Sequence, residues 1–381
     1  MEKENKKEQI KEVSGLPLVK VGISIGDING ISPEVIMKAL GDNRILLDCM
    51  PVIYGSTRVF AHYKKVLDDK EFNYQTVKSA EEAKPRKINV INAWNDDVTV
   101  DMGKPTETSG KCAFEALEMA TKDLAAGKVD VLVTAPISKE AMGKMGFSFP
   151  GHTEYLADLA GEEDALMLMV SSTMRVGLVT THIPLKEVSE ALTIDRIEAK
   201  IKALEASLKK DFGILRPKIA VFGLNPHAGE NGKMGSEEQE AIIPAIGRAR
   251  NEGILAFGPF PADGFFGSHS KSEYDGVLAM YHDQGLTAFK ALAFDEGVNF
   301  TAGLPIIRTS PDHGTAYDIV GQNIASGDSM RNAIYLAIDV HRNHVMEREI
   351  TQNPLQARPE EKREKRRNAR EIGGKTKFEK N

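Results

Sequence analysis

The sequence has little cysteine, no excess of positive charge and no long apolar run. Its two cysteines, Cys49 and Cys112, lie far apart and form no C-x-x-C motif. We therefore expect neither a disulfide framework nor a thiolate metal site, and we interpret both as small buried side chains. The formal net charge of the 381 residues is −6. That charge gives no sign of the basic surface that a nucleic-acid partner would need.

The two ends of the chain lack the apolar residues that would anchor them. The N-terminus has no signal-peptide core, and no run approaches the roughly 20 apolar residues that span a bilayer. We therefore predict a cytoplasmic protein without a membrane partner. The same composition predicts that the leader at residues 1–16 and the charged tail at residues 351–381 are disordered.

Three common site motifs are also missing. No G-x-G-x-x-G follows the first apolar run, and neither G-x-x-x-x-G-K-[ST] nor H-E-x-x-H occurs. The sequence therefore excludes the usual dinucleotide fingerprint, a P-loop and a zinc-protease helix. A cofactor, if the protein uses one, must be bound in another way.

What the sequence does contain is an alternation of apolar runs with helix-like stretches. The runs are apolar on both faces, which is typical of parallel strands covered by helices. We predict an α/β fold with a mostly parallel sheet that can include antiparallel strands, and 381 residues favour two domains. Near the start, Ser32 is predicted to cap a helix whose first position is Pro33. The clearest strand-like runs are VDVLVTAPIS, RVGLVTTHIP, KIAVFGLNPH and GVLAMYHD.

Three of these runs end on a histidine, at His182, His227 and His282. A Gly or Pro follows each one and is predicted to turn the chain, as at Gly285. In open α/β sheets, ligands bind at the carboxyl ends of strands, so the three imidazoles could converge on one point. A single histidine at a strand end is more often structural. Three of them favour a metal site with positions left open for water or substrate.

A second group of polar residues is partly cationic. His152 and Thr153 stand ahead of a predicted helix, and helix N-termini attract anions. Lysine and arginine in a protein of negative net charge can build a local anion pocket. The alternative interpretation is that each cation pairs with a surface carboxylate. The other members of the group are Lys290, Asn299, Arg308 and His313.

Eight motifs in order resemble a known family. Together they closely resemble the PdxA family of 4-hydroxythreonine-4-phosphate dehydrogenases, and the resemblance covers residues 17–350, leaving only the two ends outside it. The motifs are GDINGISPEV (26–35), VTAPISK (133–139), PGHTE (150–154), TTHIPL (180–185), GLNPHAGENGKMGSEE (223–238), PFPAD (259–263), YHDQG (281–285) and GLPIIRTSPDHGTAYDI (303–319).

The resemblance implies a fold and an assembly. The fold would be that of the isocitrate and isopropylmalate dehydrogenases, with two α/β/α domains around a central cleft, working as a homodimer. Residues 17–137 plus 305–350 would form the first domain, on the cofactor side. Residues 138–304 would form the second, on the metal and substrate side. The family commonly reads GDPAGIGPE in the first motif, where this chain has Ile28, Asn29 and Ser32. This departure is expected to alter the cleft wall slightly.

The resemblance also implies site residues. HGTAYDIVG (313–321) is similar to the H-G-x-A-x-D-I-A-G loop that binds the adenosine half of NAD in those dehydrogenases, with Val320 in place of alanine. The three strand-end histidines match the family's ligands for one divalent metal ion (Zn, Mg, Co or Mn), in a site shared across the dimer interface. The implied substrate contacts are His152, Thr153, Lys290, Asn299 and Arg308. The implied contacts to NAD or NADP are His313, Gly314, Ala316 and Asp318.

The implied reaction oxidises the 3-hydroxyl of 4-phosphooxy-L-threonine with NAD. The product, 2-amino-3-oxo-4-phosphooxybutanoate, then loses carbon dioxide to give 3-amino-2-oxopropyl phosphate, a step in pyridoxal phosphate biosynthesis. Asp263 and Asp283 are candidates to accept a proton or to orient a metal-binding histidine.

Four alternatives stay open. The nearest is a dehydrogenase of a four-carbon sugar-acid phosphate such as erythronate or threonate 4-phosphate, which would share the metal, phosphate and NAD groups. A metal-dependent hydrolase with three histidines would not need the HGTAYDIVG loop. A phosphate acyltransferase of related fold would not need the three histidines. A purely structural or binding protein fits least, because the polar residues collect at strand ends.

Overall fold

The computed structural model describes residues 18–95, 97–147, 149, 151–161 and 165–353; the side chains of residues 153, 154, 157, 160, 270 and 271 are not described. The predicted disordered leader and the tail from residue 354 onward lie outside the described residues. The described residues up to 343 form one compact unit, and the described residues from 344 to 353 belong to a second. The described part of the second unit is mainly the end of the last helix.

Twelve strands of the described residues form one mixed sheet, in the order β3-β4-β2-β1-β5-β12-β11-β6-β7-β10-β8-β9. The strands are β1 Val19–Ser24, β2 Cys49–Gly55, β3 Tyr74–Thr76, β4 Ile88–Asn92, β5 Val131–Thr134, β6 Leu166–Val170, β7 Arg175–Leu178, β8 Lys218–Phe222, β9 Leu255–Phe260, β10 Gly276–Ala279, β11 Val298–Ala302 and β12 Arg308–Pro311.

The α-helices of the described residues occur between the strands and after the last one. They are α1 Ser32–Leu40, α2 Thr57–Val66, α3 Glu107–Ala125, α4 Lys139–Lys144, α5 His152–Ala160, α6 Val188–Ala191, α7 Ile194–Lys210, α8 Ile243–Asn251, α9 Ala262–Gly267, α10 His282–Ala293 and α11 Asp328–Thr351. No helix in this part of the chain is long and apolar enough to cross a membrane.

The sheet is covered on both faces, as the doubly apolar runs predict. In β8, Ile219 and Val221 belong to the main hydrophobic core, whereas Ala220 and Phe222 belong to a smaller second core. Successive side chains of a strand point to opposite faces, so the two cores lie on opposite sides of this part of the sheet. Helix α7 packs on β6, β8, β10 and β11, and α10 packs on β7 and β10. The predicted α/β class is confirmed.

The predicted mixture of strand directions is also confirmed. Strands β11 and β12, β11 and β6, and β6 and β7 pair antiparallel, and every other pair of neighbouring strands in the described sheet is parallel. Strands from residues 17–137 and 305–350 fill one half of the sheet and those from residues 138–304 fill the other. The two predicted segments therefore meet between β12 and β11. Their division into two domains stays a prediction.

Two local predictions were wrong. Ser32 does not cap α1 but is its first residue, and its hydroxyl donates to the Pro136 carbonyl at 2.8 Å. Gly285 does not turn the chain, because α10 already begins at His282. Gly285 is needed for close packing of that helix on the sheet, since a Cβ there would lie 2.9 Å from Val176 Cγ1 and 3.1 Å from Ala279 Cβ.

The residues that depart from the common first motif do not form a cavity wall. Ile28 and Asn29 are fully buried. The Asn29 side-chain amide donates to the Lys104 carbonyl at 2.9 Å and to Thr106 Oγ1 at 3.1 Å. These residues therefore do not change the cleft wall as expected. Asn29 instead hydrogen-bonds inside the protein to the segment before α3.

Both cysteines are free and buried, as predicted. Burial raises the pKa of the Cys49 thiol to about 12, and it has the same effect on the pKa of Cys112. Neither thiol is therefore available as a thiolate for nucleophilic or metal-binding chemistry.

Candidate active site

A cavity of about 460 Å³ opens where the two halves of the sheet meet. We call it the Arg308 cavity. Its walls come from β5, β6, β11, β12 and the segments that follow β5, β7 and β12. Six residues that were predicted to bind the substrate, the cofactor or a metal ion line this cavity. The predicted residues that line the cavity are His152, His182, Asn299, Arg308, His313 and Gly314.

Arg308 is the first residue of β12 and is only 3% exposed. Its Nε donates to Thr134 Oγ1 at 3.0 Å, and one terminal nitrogen donates to the same oxygen at 2.6 Å. That nitrogen also lies 3.3 Å from His152 Nδ1. The alternative interpretation, a pair with a carboxylate, stays open for Arg308, whose guanidinium is buried and not at the surface. A buried guanidinium fixed at the edge of a cavity is suited to bind phosphate or carboxylate.

His152 is held in its neutral form. It is the first residue of α5, as predicted, and is buried. Burial, and then the charge of Arg308, bring the pKa of His152 well below its usual value. A neutral imidazole beside the guanidinium avoids repulsion and leaves one nitrogen free to act on a ligand. The neighbouring Thr153 side chain is not described.

Three buried polar atoms of the cavity residues have no hydrogen-bond partner within the described structure: His152 Nε2, Asn299 Oδ1 and His313 Nε2. Burial of a polar group without a partner is costly, so such atoms usually mark a place that a ligand or water fills. Because donors and acceptors are both represented, the cavity is suited to a ligand with several polar groups. All three atoms belong to residues predicted from the sequence to bind substrate or cofactor.

Lys290 reaches the cavity through an aspartate that sequence reasoning missed. Its Nζ lies 3.0 Å from Asp312 Oδ1, and Asp312 lines the cavity whereas Lys290 does not. Burial raises the pKa of Asp312, and the adjacent Lys290 opposes that shift. The only sequence signal for Asp312 is its place directly before His313 in the predicted cofactor loop.

The predicted cofactor loop, residues 313–321, follows β12 and is fixed to the first motif. The Ile31 amide donates to the Thr315 carbonyl at 2.9 Å. The Tyr317 hydroxyl donates to Asp27 Oδ2 at 2.7 Å, although burial raises the pKa of that carboxyl. Sequence reasoning missed both members of this pair, because they are far apart in the chain and no local pattern joins them.

The outer side of this loop is open. Gly314 is exposed, and a Cβ placed there would meet no atom within 4 Å. Asp318 is also exposed, while Ala316 has a positive φ of 40°. An exposed glycine backbone next to a free carboxylate fits the adenosine part of a dinucleotide, since the carboxylate can accept from ribose hydroxyls. The loop therefore fits the cofactor that was predicted for it.

The three strand-end histidines form what we call the histidine surface. His182 and His282 lie side by side, with ring centroids 5.9 Å apart. His227 lines a separate cavity of about 650 Å³ that also contains Asp263. Among the described residues, no group of three or more His, Cys, Asp or Glu could hold a metal ion. The three-ligand metal site, shared with a second chain, stays a prediction.

The two aspartates predicted to take part in the chemistry lie beside different histidines. Asp283 Oδ1 is 2.7 Å from His282 Nδ1, and its side chain is otherwise exposed. This is the arrangement in which a carboxylate orients a metal-binding imidazole. Asp263 is exposed at the start of α9, in the cavity that His227 lines. Neither aspartate lines the Arg308 cavity.

Gln284 explains why polar residues follow the apolar strand β10. Its side-chain oxygen accepts from the Met280 amide at 2.7 Å, and its side-chain nitrogen donates to the Gly223 carbonyl at 2.7 Å. The Thr180 hydroxyl also donates to the Met280 carbonyl, at 2.8 Å. These hydrogen bonds join the ends of β7, β8 and β10, which are the three segments that carry the histidine surface.

Known proteins resemble this chain over most of its length. The family described as pyridoxal phosphate biosynthetic protein PdxA matches residues 47–337. A 4-hydroxythreonine-4-phosphate dehydrogenase of Bacteroides thetaiotaomicron is 49% identical over 347 residues, which are 91% of this chain and 95% of the relative. A protein of Oceanobacillus iheyensis, provisionally assigned as D-threonate 4-phosphate dehydrogenase, is 41% identical over 325 residues, 84% of this chain and 97% of the relative.

A solved structure shares the fold. The crystal structure of a 4-hydroxythreonine-4-phosphate dehydrogenase from Klebsiella pneumoniae has a TM-score of 0.74 and 36% sequence identity, covering 85% of this chain and 98% of that one. The similarity therefore extends over the Arg308 cavity, the cofactor loop and the histidine surface, and is not confined to one half of the sheet.

Proposed function

The chain belongs to the PdxA family of pyridoxal phosphate biosynthetic proteins, and on that premise we propose that it is an NAD-dependent 4-hydroxythreonine-4-phosphate dehydrogenase. It oxidises the 3-hydroxyl of 4-phosphooxy-L-threonine, and the resulting β-keto acid loses carbon dioxide to give 3-amino-2-oxopropyl phosphate. The observation that carries the proposal is the Arg308 cavity, in which a buried guanidinium and three buried polar atoms without partners lie next to the open cofactor loop.

The residues of the Arg308 cavity bind and orient the substrate. Arg308 holds one anionic group of the substrate, and the unpartnered His152 Nε2 and Asn299 Oδ1 contact its remaining polar groups. The proposed substrate contacts also include Thr153 and Lys290, and Lys290 stands behind the Asp312 that lines the cavity. Fixed donors placed around a bound anion supply orientation without reorganisation during the reaction. A substrate that fills the Arg308 cavity also excludes water from its reacting carbon.

The cofactor loop binds NAD by its open backbone at Gly314 and by Asp318. An exposed carboxylate accepts hydrogen bonds from the ribose hydroxyls, whereas it would repel the 2′-phosphate of NADP. We therefore assign NAD in preference to NADP. His313 stands at the junction of the loop and the cavity, where the nicotinamide must meet the substrate. Ala316 lies between Gly314 and Asp318 and maintains the turn of the loop.

The histidine surface binds one divalent ion, which when present acts as a Lewis acid on the substrate oxygen. His182 and His282 of one chain and His227 of a second chain are its ligands. Asp283 holds the His282 ring in its binding orientation, and Asp263 is placed to do the same for His227. The proposed site includes a homodimer, as the resemblance implies, and the described part of one chain does not by itself bring the three imidazoles together.

One experiment tests the substrate. NADH formation is followed by near-ultraviolet absorbance with 4-phosphooxy-L-threonine, erythronate 4-phosphate and threonate 4-phosphate, each with and without a chelator. We expect turnover that prefers the threonine phosphate and that the chelator abolishes. Turnover with a sugar-acid phosphate alone would favour the second candidate, which the resemblance to the Oceanobacillus iheyensis protein supports. Undiminished turnover in the chelator would contradict the metal assignment.

A mixing experiment tests the shared metal site. The variants His182→Ala and His227→Ala should each be inactive alone. If each site takes His182 from one chain and His227 from the other, a heterodimer has one intact site. Random reassortment should then restore about a quarter of wild-type activity. Two copies of His227→Ala mixed in the same way are the control. No recovery from the mixed pair would show that both histidines come from one chain.

A further inference from the structure

The loop that carries His227 has an unusual backbone. Five consecutive residues, from His227 to Asn231, have positive φ angles of 53°, 50°, 76°, 43° and 57°. Four of the five are not glycine. L-residues adopt this left-handed region at an energetic cost and usually singly, so a whole left-handed turn persists only where its surroundings enforce it.

A buried carboxylate lies inside this turn. Glu238 is 2% exposed. Its Oε1 accepts from the amides of Leu224 and Asn225, both at 2.8 Å, and its Oε2 accepts from the Asn225 side chain at 3.0 Å. Both oxygens of the carboxylate are therefore bonded to the two residues that precede Pro226 and His227. A carboxylate bonded by several N–H donors is a strong and directional anchor.

The turn is packed directly on this carboxylate. A Cβ at Gly229 would lie 2.5 Å from Glu238 Oε2, and a Cβ at Gly223 would lie 2.8 Å from the Ala228 Cα. Glycine is therefore required at both positions so that the loop can fold over Glu238. The GLNPHAG segment is therefore packed on Glu238, which comes later in the chain, and the adjacent Glu237 also accepts from the Asn225 side chain at 2.7 Å.

Glu238 is itself placed by an irregular element. The described residues Glu238–Ile242 form a π-helical turn just before α8. Such turns are rare and occur often at functional sites, because they change the direction of a side chain relative to a regular helix. The left-handed turn and the π-helical turn are separate irregularities in the chain. Glu238 belongs to the π-helical turn, and its carboxylate contacts the left-handed turn.

We propose that Glu238 is the positioning residue for His227. Its carboxylate imposes the left-handed turn and so fixes the direction in which the exposed His227 imidazole is presented to an ion. The inference rests on the proposed function, since it takes His227 as a metal ligand. Glu238 does not contact the ion or the substrate and acts through His227 alone.

Glu238→Gln tests this role in the full-length protein, with Co²⁺ as the probe. The amide keeps the size of the side chain but replaces one acceptor with a donor that faces the donors of Asn225. We expect Co²⁺ affinity by titration calorimetry to fall about 10- to 100-fold, the range typical of residues that support metal ligands. The visible absorption of the bound Co²⁺ should also change, because the imidazole geometry around the ion changes.

Glu240→Gln is the matched control, since Glu240 is an exposed glutamate in the same π-helical turn. It should leave both the affinity and the spectrum unchanged. Glu238→Asp, which keeps the charge but shortens the reach, should give an intermediate loss and serves if the glutamine variant fails to fold. Hydrogen exchange of residues 223–231 should rise in the Glu238 variants and stay unchanged in Glu240→Gln.

Two further outcomes separate this inference from the proposed function. Wild-type Co²⁺ binding in the Glu238 variants, with binding lost in His227→Ala, would overturn the positioning role and leave the metal site intact. Wild-type protein that does not bind Co²⁺, or His227→Ala that binds it normally, would overturn the assignment of His227 as a ligand and this inference together.

Discussion

The Arg308 cavity and the histidine surface differ in how much of each a single chain builds. In the Arg308 cavity the guanidinium is buried and bonded to Thr134, and its neighbour His152 is buried with it. On the histidine surface, His182 and His227 are exposed and line different cavities, His182 the Arg308 cavity and His227 the separate cavity that contains Asp263. One chain therefore brings together residues that are proposed to bind the substrate anion, whereas the described part of one chain does not assemble the proposed three-histidine metal site.

Of the variants considered, Arg308→Ala should cause the largest loss of activity. Loss of a buried charged partner costs on the order of 2–5 kcal/mol, so kcat/KM should fall about 30- to 5,000-fold. Steady-state kinetics measure the loss, and calorimetry with inorganic phosphate shows whether anion binding disappears with it. Arg44→Ala, at an exposed pair with Asp42, is the control. Unchanged phosphate binding in Arg308→Ala would place the anion site elsewhere.

His282→Ala should weaken metal binding at the histidine surface without weakening anion binding in the Arg308 cavity. Loss of one ligand should weaken Co²⁺ binding at least about 100-fold, a larger effect than that of a supporting residue. Binding of inorganic phosphate in the Arg308 cavity should stay within about twofold of wild type, since His282 does not line that cavity and no phosphate contact is lost. Titration calorimetry measures both. If phosphate binding fell as far as Co²⁺ binding, the two regions would have to be treated as one site.

Tyr317→Phe should affect the cofactor alone. The variant loses the hydrogen bond to Asp27 that fixes the cofactor loop, and one such bond contributes about 0.5–1.5 kcal/mol. The KM for NAD should therefore rise about three- to tenfold, while the KM for the phosphorylated substrate stays the same. Tyr74→Phe, which loses a hydrogen bond to Thr57 remote from the site, should change neither constant. An equal rise in both KM values would contradict a role confined to the loop.

His152 should make the folded state sensitive to acid. Because its pKa in the folded chain is well below the usual value, the unfolded chain binds a proton first as the pH falls below about 6.5. The free energy of unfolding should therefore decrease with falling pH in that range, by at most about 1.4 kcal/mol per pH unit from this group. Urea unfolding between pH 5 and 8 measures the slope. His152→Gln should have a shallower slope, and an identical slope would remove His152 as its source.

Much of the architecture could be predicted because its signals are local. Runs that are apolar on both faces predicted the strands of the α/β sheet, and α3 ends just before Gly127, whose φ is 68°. His152 stands at the start of α5 because the turn before it and the pattern after it are adjacent in sequence. In each case the determining interactions lie within a few residues, where sequence patterns are informative.

The partners that complete the site could not be predicted because they depend on strand order. Thr134 bonds to Arg308 since β5 and β12 are neighbours in the sheet, although 174 residues separate them. Asp27 and Tyr317 are 290 residues apart. The left-handed turn at His227 was also missed, because it packs on Glu238, which comes later in the chain, and no local pattern signals it.

Because both native cysteines are buried, a probe can be attached to one introduced cysteine without mutating the native ones. The two native thiols are inaccessible, and their pKa of about 12 keeps them protonated near neutral pH, so they should not react with maleimides or spin labels. A single cysteine introduced at an exposed position such as Lys233, beside the turn that carries His227, would be the only reactive thiol. In the proposed homodimer, the separation of two such labels in solution would then report the distance between the two His227 turns, without removal of any native residue of the core.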